Sequence, residues 1–157
     1  MTTSSQLDTI DWKILKELQS DGRISNVALA ARVGLSPPPC LRRVRALEQA
    51  GYISGYRALL DAAELGFDVQ LFAHVGLKSQ AEAELNAFAA RVRNWPLVRE
   101  CYAVSGDADF ILKCIGRDIH AMQDFVIKEL TAAPNVDSVK TTLILDISKY
   151  EPGVPIA

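Results

Sequence analysis

Near the start of the chain, apolar residues return every three or four positions. Ile10, Ile14, Leu15 and Leu18 lie at i, i+4, i+5 and i+8, one face of a helix that ends near Ser20-Asp21-Gly22. A second short helix is predicted within ISNVALAARVG. Ser25 is placed to cap it, Leu29 and Val33 share a face, and Gly34 follows its last turn. A third lies within GLSPPPCLRRVRALEQAG, residues 34–51. After it, YISGYRALL is rich in aromatic and β-branched residues and reads as a strand. Two short helices joined by a tight turn containing Gly, the second of them basic, form the pattern of a helix-turn-helix.

The pattern then changes. DAAELGFD, residues 61–68, reads as a linker with one helical turn. LFAHVGLK is a predicted strand, SQAEAELNAFAARVRNW a helix and PLVRECYAVSG a strand. DFILKCIG, RDIHAMQDFVIKELTAA and PNVDSVKTTLILDI repeat the order. A shift of 38 residues places Phe72 on Phe110, Pro96 on Pro134 and Val98 on Val136, and the β–α–Pro–β order reads as a repeat without gaps. Two such units in series predict a ferredoxin-like βαββαβ domain, an antiparallel sheet with both helices on one face. The fold class expected is therefore α+β. A winged-helix-like helix-turn-helix domain occupies residues 1–60, a linker 61–66, the βαββαβ domain 67–149, and a tail 150–157. The uncovered sheet face is expected to carry Phe72, His74 and Leu112, or their alternates, and to pack against a second copy as a homodimer.

Three prolines open the basic helix. The first helical N–H groups have no intrahelical partner, so Pro37, Pro38 and Pro39 lose nothing there. Residues before proline avoid the α region, so the helix is expected to begin at Pro38 or Pro39. A capping Ser36 would find no N–H to accept from two or three residues on, which leaves its hydroxyl for a phosphate oxygen. At 3.6 residues per turn, Cys40, Leu41, Val44 and Leu47 form the core flank. Arg42, Arg45 and Gln49 cluster opposite, with Arg43 at the margin. Arginines and an amide so placed can read base edges or bind phosphates. A solvated basic face is the alternative, and the place of this helix, second in a helix-turn-helix, favours DNA.

The charge totals agree with that division. The chain of 157 residues carries a net charge of −2, yet residues 1–60 hold eight Lys/Arg against five Asp/Glu, while the remainder holds nine against fourteen. The basic half suits a polyanion. About half the residues are apolar, which is enough for real cores. No apolar run is long enough to span a membrane, and MTTSSQLDTID lacks the regions of a signal peptide. Cys40, Cys101 and Cys114 are odd in number, have no C-x-x-C spacing and sit among apolar residues. They are expected to be reduced small hydrophobes in a cytoplasmic protein.

The pattern L-D-x-x-D-x-x-I-L-x-x-L, the run D-G-R-I-S-N, and G-L-S-P-x-P-C-x-x-R-V-R-x-L-E-x-x-G-x-I resemble the DNA-binding domain of the Lrp/AsnC family, the leucine-responsive or feast/famine regulators. AVSGDADFILK resembles the family's S-G-D-x-D loop, and the resemblance covers nearly the whole chain. It implies a transcription regulator whose βαββαβ domains dimerise, whose dimers assemble into an octamer, and which binds an amino acid or related metabolite between dimers near that loop. The partners implied are double-stranded DNA and that small effector, with no membrane. Pro38 stands where the family often has a small polar residue, and Arg42 where an acidic one occurs. Both lie at the DNA-facing end, so the operator does not carry over from a relative. The DNA-binding set is therefore Ser36, Pro38, Arg42, Arg43, Arg45 and Gln49.

On residues alone, SGDADF is a hairpin turn of Gly and Asp. With the family motif, Ser105, Gly106, Asp107 and Asp109 become effector residues: loop N–H groups hold a carboxylate, and one aspartate meets an ammonium. Thr141 and Thr142 would add hydroxyls from a neighbouring subunit. His74 and His120 lack metal-ligand spacing, and Trp12 and Trp95 read as packing residues. No metal, cofactor or enzymatic activity is expected, since no catalytic triad, P-loop or GxGxxG appears. The rival readings are a non-specific DNA-architectural protein without an effector and a small Cys/His hydrolase.

Overall fold

The structure is a computed structural model that describes residues 7–156. The first six residues of the N-terminal domain and residue 157 of the tail lie outside the described residues. The chain forms two compact units. One extends to Leu59 and takes in the chain again from Tyr150; the other is Leu60–Lys149.

The first unit holds α1 (Thr9–Ser20), α2 (Asn26–Val33) and α3 (Pro37–Gln49). Asp8 caps α1. Its carboxylate accepts from the Ile10 and Asp11 N–H groups at 2.9 and 2.8 Å, and Asp11 accepts in return from the Asp8 N–H. Ser25 caps α2 by accepting from the Ala28 N–H, and Gly34 ends it in the left-handed region at φ 77. The third helix begins at Pro37, not at Pro38 or Pro39. Its first turn needs no donor from the three prolines, and Cys40 supplies the first N–H, to the Ser36 carbonyl at 3.3 Å. Ile14, Leu29, Val33, Cys40 and Leu47 close the core, with Val44 and Ile53 packed against it. Leu41 is not part of that core. It lies ~100° around the helix from Cys40 and is 38% exposed.

The strand expected over YISGYRALL is absent. Residues 52–60 belong to no sheet, because a strand needs a ladder partner and none pairs with them among the described residues. Hydrogen bonds hold this segment to α3 instead: the Tyr52 N–H donates to the Leu47 carbonyl at 3.0 Å and the Tyr56 hydroxyl to Glu48 at 2.9 Å.

The second unit begins with the expected turn. The Ala62 carbonyl accepts from the Leu65 and Phe67 N–H groups, and the Arg117 guanidinium stacks over Phe67 at 4.9 Å. Then follow β1 (Val69–Leu77), α4 (Glu82–Val92), β2 (Val98–Ala103), β3 (Phe110–Gly116), α5 (Ile119–Phe125) and β4 (Val136–Leu143). The sheet order is β2-β3-β1-β4, antiparallel throughout, which is the ferredoxin-like arrangement. Leu71, Ala73, Val75 and Leu77 alternate inward along β1, and Phe110, Leu112 and Cys114 along β3. They pack with Phe88, Val92, Trp95, Met122, Phe125 and Leu130. Phe88 and Phe110 stand 4.8 Å apart between ring centres, and Trp95 meets Phe125 edge-on at 5.5 Å.

The other face is uncovered. Phe72 and His74 lie on it, cross-strand from Lys113 and Ile111. Leu112 does not: it is fully buried on the helix side, opposite Ala73. Cys101 departs from the expected buried set as well, being exposed on β2 while Cys40 and Cys114 are buried. The repeat also contains offsets. Leu71, Ala73 and Val75 correspond by face to Phe110, Leu112 and Cys114, a displacement of 39, whereas Phe72 and Phe110 lie on opposite faces. Leu85 and Phe88 match Met122 and Phe125, but Val92 matches Leu130 one residue later than that spacing gives. The extra residue sits in a π-helical turn, Val126–Leu130, which continues α5 and is closed by the Thr131 N–H to the Val126 carbonyl at 2.9 Å.

Phe88 touches both Trp95 and Phe110 from inside this core. Phe88→Ala is expected to destabilise the βαββαβ unit by about 3–5 kcal/mol. Urea unfolding followed by Trp95 fluorescence measures the loss.

Candidate functional sites

Of the residues named for DNA, Pro38, Arg42, Arg45 and Gln49 fall at i, i+4, i+7 and i+11 on α3, within a stripe ~60° wide. All four are exposed, and the stripe lies opposite buried Cys40 and Leu47. Ser36 caps the helix without a side-chain bond, and its exposed hydroxyl sits at the same end as Pro38. This is the consequence of prolines at the second and third helical positions.

Arg43 is placed differently. Its guanidinium binds Asp8 at 2.7 Å and Asp11 at 2.8 Å. These are the two carboxylates of the α1 capping box, so one arginine ties α3 to the start of α1. The Asp8 carboxyl is held below its ordinary range, first by the Asp11 N–H and then by Arg43. The Arg43 guanidinium is held more firmly charged by Asp11 and then Asp8. Two further contacts fix the triad of helices: Arg32 pairs with Glu17 at 2.7 Å, and the Asn26 amide donates to the Pro37 carbonyl at 2.8 Å. Sequence reading missed Asp8, Asp11 and Asn26. The D-x-x-D spacing signals a capping box, but nothing local links it to an arginine 32 residues away. Tyr56, behind α3, has its hydroxyl pushed up to about 12 by burial and by its bond to Glu48.

The SGDADF loop joins β2 to β3. Ser105, Gly106 and Asp107 are exposed at its apex, with Gly106 at φ 132. Asp109 lies at its base. Its N–H donates to the Val75 carbonyl, and its carbonyl accepts from the Val104 N–H. One carboxylate oxygen accepts from the Leu77 N–H at 2.7 Å and from the Gln80 amide at 3.5 Å. Asp109 therefore fastens the irregular end of β1, where the pairing with β4 shifts register between Gly76 and Leu77. Asn135, at φ 66, holds the same end by exchanging side-chain bonds with the Ser79 backbone. Neither fastening shows in the sequence, because each crosses between strands.

Thr141 and Thr142 lie farther along β4, opposite Ala73 and Phe72. They take opposite faces, so one protomer does not bring both to the loop. Thr141 lines a cavity of about 250 Å3 with Leu71, Met122, Gln123 and Val126. His120 is exposed, Trp95 is buried, and Trp12 is half exposed on α1. Among the described residues no cluster of His, Cys, Asp or Glu is arranged to hold a metal, and no helix is long and apolar enough to cross a membrane.

Comparison with known proteins divides the chain at similar places. Residues 7–54 match the family model described as winged helix-turn-helix DNA-binding, and residues 70–154 that of the Lrp/AsnC ligand binding domain. A leucine-responsive regulatory protein of Rhizobium meliloti is 60% identical over 92% of this chain and 93% of its own. The leucine-responsive regulatory protein of Escherichia coli is 42% identical over 89% of this chain and 85% of its own. Among solved structures, a transcriptional regulator of Neisseria meningitidis in complex with L-Met is 38% identical, with a TM-score of 0.91 over 96% of this chain and 97% of its own.

Two outcomes follow from the geometry. The depressed Asp8 carboxyl places its contribution above the ordinary carboxylate range, to be lost as pH falls through its lowered folded value. The thermal-midpoint gap between wild type and Arg43→Ala should therefore hold steady from neutral pH to about pH 5 and close only at more acid pH. At the loop, Asp109→Asn keeps an acceptor for the Leu77 N–H, whereas Asp109→Ala leaves that donor unpaired. The alanine variant should cost about 1–3 kcal/mol in denaturant unfolding and the asparagine variant much less.

Proposed function

The chain belongs to the Lrp/AsnC family of transcription regulators, and from that premise we propose that it reads operator DNA through the Pro38–Arg42–Arg45–Gln49 stripe and answers a small α-amino acid through its βαββαβ domain. The observation that carries the reading is the stripe itself: two arginines and an amide, all exposed, on the face of α3 turned away from the core. Arg42 and Arg45 would take guanine edges or phosphates, Gln49 an adenine edge, and the uncapped Ser36 hydroxyl a phosphate at the helix start. Arg43 holds the helix to α1 and meets no base.

At the other end, the Ser105 hydroxyl and the Gly106 N–H would receive the effector's carboxylate, and Asp107 its ammonium, on a loop that Asp109 secures. Thr141 or Thr142 of a neighbouring subunit would complete the site. Relatives named for leucine and a structural neighbour holding L-Met support an apolar α-amino acid as the class. The uncovered sheet face, with Phe72, His74 and Ile111, would join two copies, and dimers would assemble further to an octamer. Several reading helices would then meet one DNA in the cytoplasm, and the effector would shift the assembly between states of different DNA affinity. The activity is regulatory, not catalytic.

The test begins with genomic fragments retained by the full-length protein. Arg42→Ala and Arg45→Ala should each weaken binding to the selected operator by about 1–3 kcal/mol, with a shallower salt dependence where a phosphate contact is lost. Unchanged affinity and salt slope in both variants would remove α3 as the reader. Equal affinity for unrelated DNA would favour the architectural reading. L-leucine and L-methionine are the first ligands to add to the same assay.

A further inference from the structure

One contact crosses more of the sequence than any element pairing described above. The Gln19 side chain, on α1, donates to the Val154 carbonyl at 2.8 Å and accepts from the Val154 N–H at 3.0 Å. A single side-chain amide thus takes both polar groups of one extended residue, as a neighbouring strand would. Beside this contact a groove of about 750 Å3 is lined by Trp12, Leu15 and Leu18 of α1, by Tyr52, and by Gly153, Val154 and Ile156; of these tail residues Ile156 is half-buried and Val154 is 61% exposed.

The sequence of the segment suits this contact. Gly153 has φ 126, a conformation that side chains rarely adopt, and a Cβ there would stand 2.5 Å from the Gln19 side-chain oxygen, so a side chain at this position would displace the amide. Pro152 and Pro155 flank it. Each fixes its own φ and lacks an N–H, so the segment is extended in advance and presents few unpaired donors. The same segment continues from β4 through residues 144–149. The unit that carries α3 is therefore joined to the βαββαβ unit by two covalent crossings, at Leu59–Leu60 and at Lys149–Tyr150.

We propose that Gln19 and the adjoining face of α1 form a docking site for the tail, and that residues 150–156 of the chain, held there, strap the DNA-reading unit to β4. With the strap seated, the reading unit is held by two tethers instead of one, and its range about the linker is limited. A narrower range raises the effective concentration of a second reading helix at a second half-site. The effect on DNA rests on the DNA reading given above; the docking does not.

Both parts are tested on the full-length chain. Gly153→Val should release the tail from α1 and shift the fluorescence of Trp12, which is 47% exposed with the strap in place, while buried Trp95 in the other unit stays constant. A synthetic peptide of residues 149–157 should restore the signal in Gly153→Val and fail to do so in a Gln19→Ala/Gly153→Val double variant. On DNA, Gly153→Val and Gln19→Ala should each bind a duplex with two half-sites about tenfold more weakly and a single half-site as well as wild type does. Unchanged Trp12 emission in Gly153→Val, or peptide rescue without Gln19, would overturn the docking. Equal loss on both duplexes, or loss on neither, would overturn the tethering. Absence of DNA binding in the wild type would remove the DNA reading and the tethering together, and leave the docking to the fluorescence result.

Discussion

The grip of Asp8 and Asp11 on Arg43 sets the direction in which the helical unit faces. A helix of thirteen residues with a basic outer stripe is of use only if its roll about its own axis is fixed. A planar guanidinium held by two carboxylates is directional, and it acts at the middle of α3. The two carboxylates also start α1: one oxygen of each serves the cap and the other meets Arg43.

Much of this unit was legible in the sequence, because helical period and proline chemistry are local. The uncapped Ser36, the first turn without donors and the outward Arg42, Arg45 and Gln49 all follow from residues 36–49 alone. What was not legible depends on distant partners. Arg43 reads as a marginal surface arginine until α1 folds beside it. The stretch 52–60 has strand composition, but composition supplies no ladder partner. The start at Pro37 shows that the bias of pre-proline residues against the α region is weaker than the gain from completing a first turn whose donors are not needed.

In the βαββαβ unit, alternation gave the strands and their number, and the half-bare sheet followed. The face assignment failed at Leu112 because period two tells which residues share a side but not which side is covered. The repeat spacing failed for a related reason: Phe72 and Phe110 are alike in type and opposite in orientation. At the loop, the motif residues separate into two kinds. Ser105, Gly106 and Asp107 are presented outward, while Asp109 is spent on the end of β1. Sequence alone ranks Asp107 and Asp109 as equals; only the cross-strand bond to Leu77 distinguishes them.

The π turn at Val126–Leu130 gives the second half of this unit a property the first half lacks. One added residue in a regular helix rotates everything after it by ~100°. Here the widened turn absorbs the addition, so Met122 and Phe125 before it and Leu130 after it all still point into the core. Ile127, inside the turn, is pushed out to 57% exposure. The two halves are therefore alike in plan but no longer interchangeable. A helix transplanted from the first half into the second would set Leu85, Phe88 and Val92 on the core face and leave the chain one residue short on its way to β4. The added residue lies on the helix that walls the cavity beside Thr141.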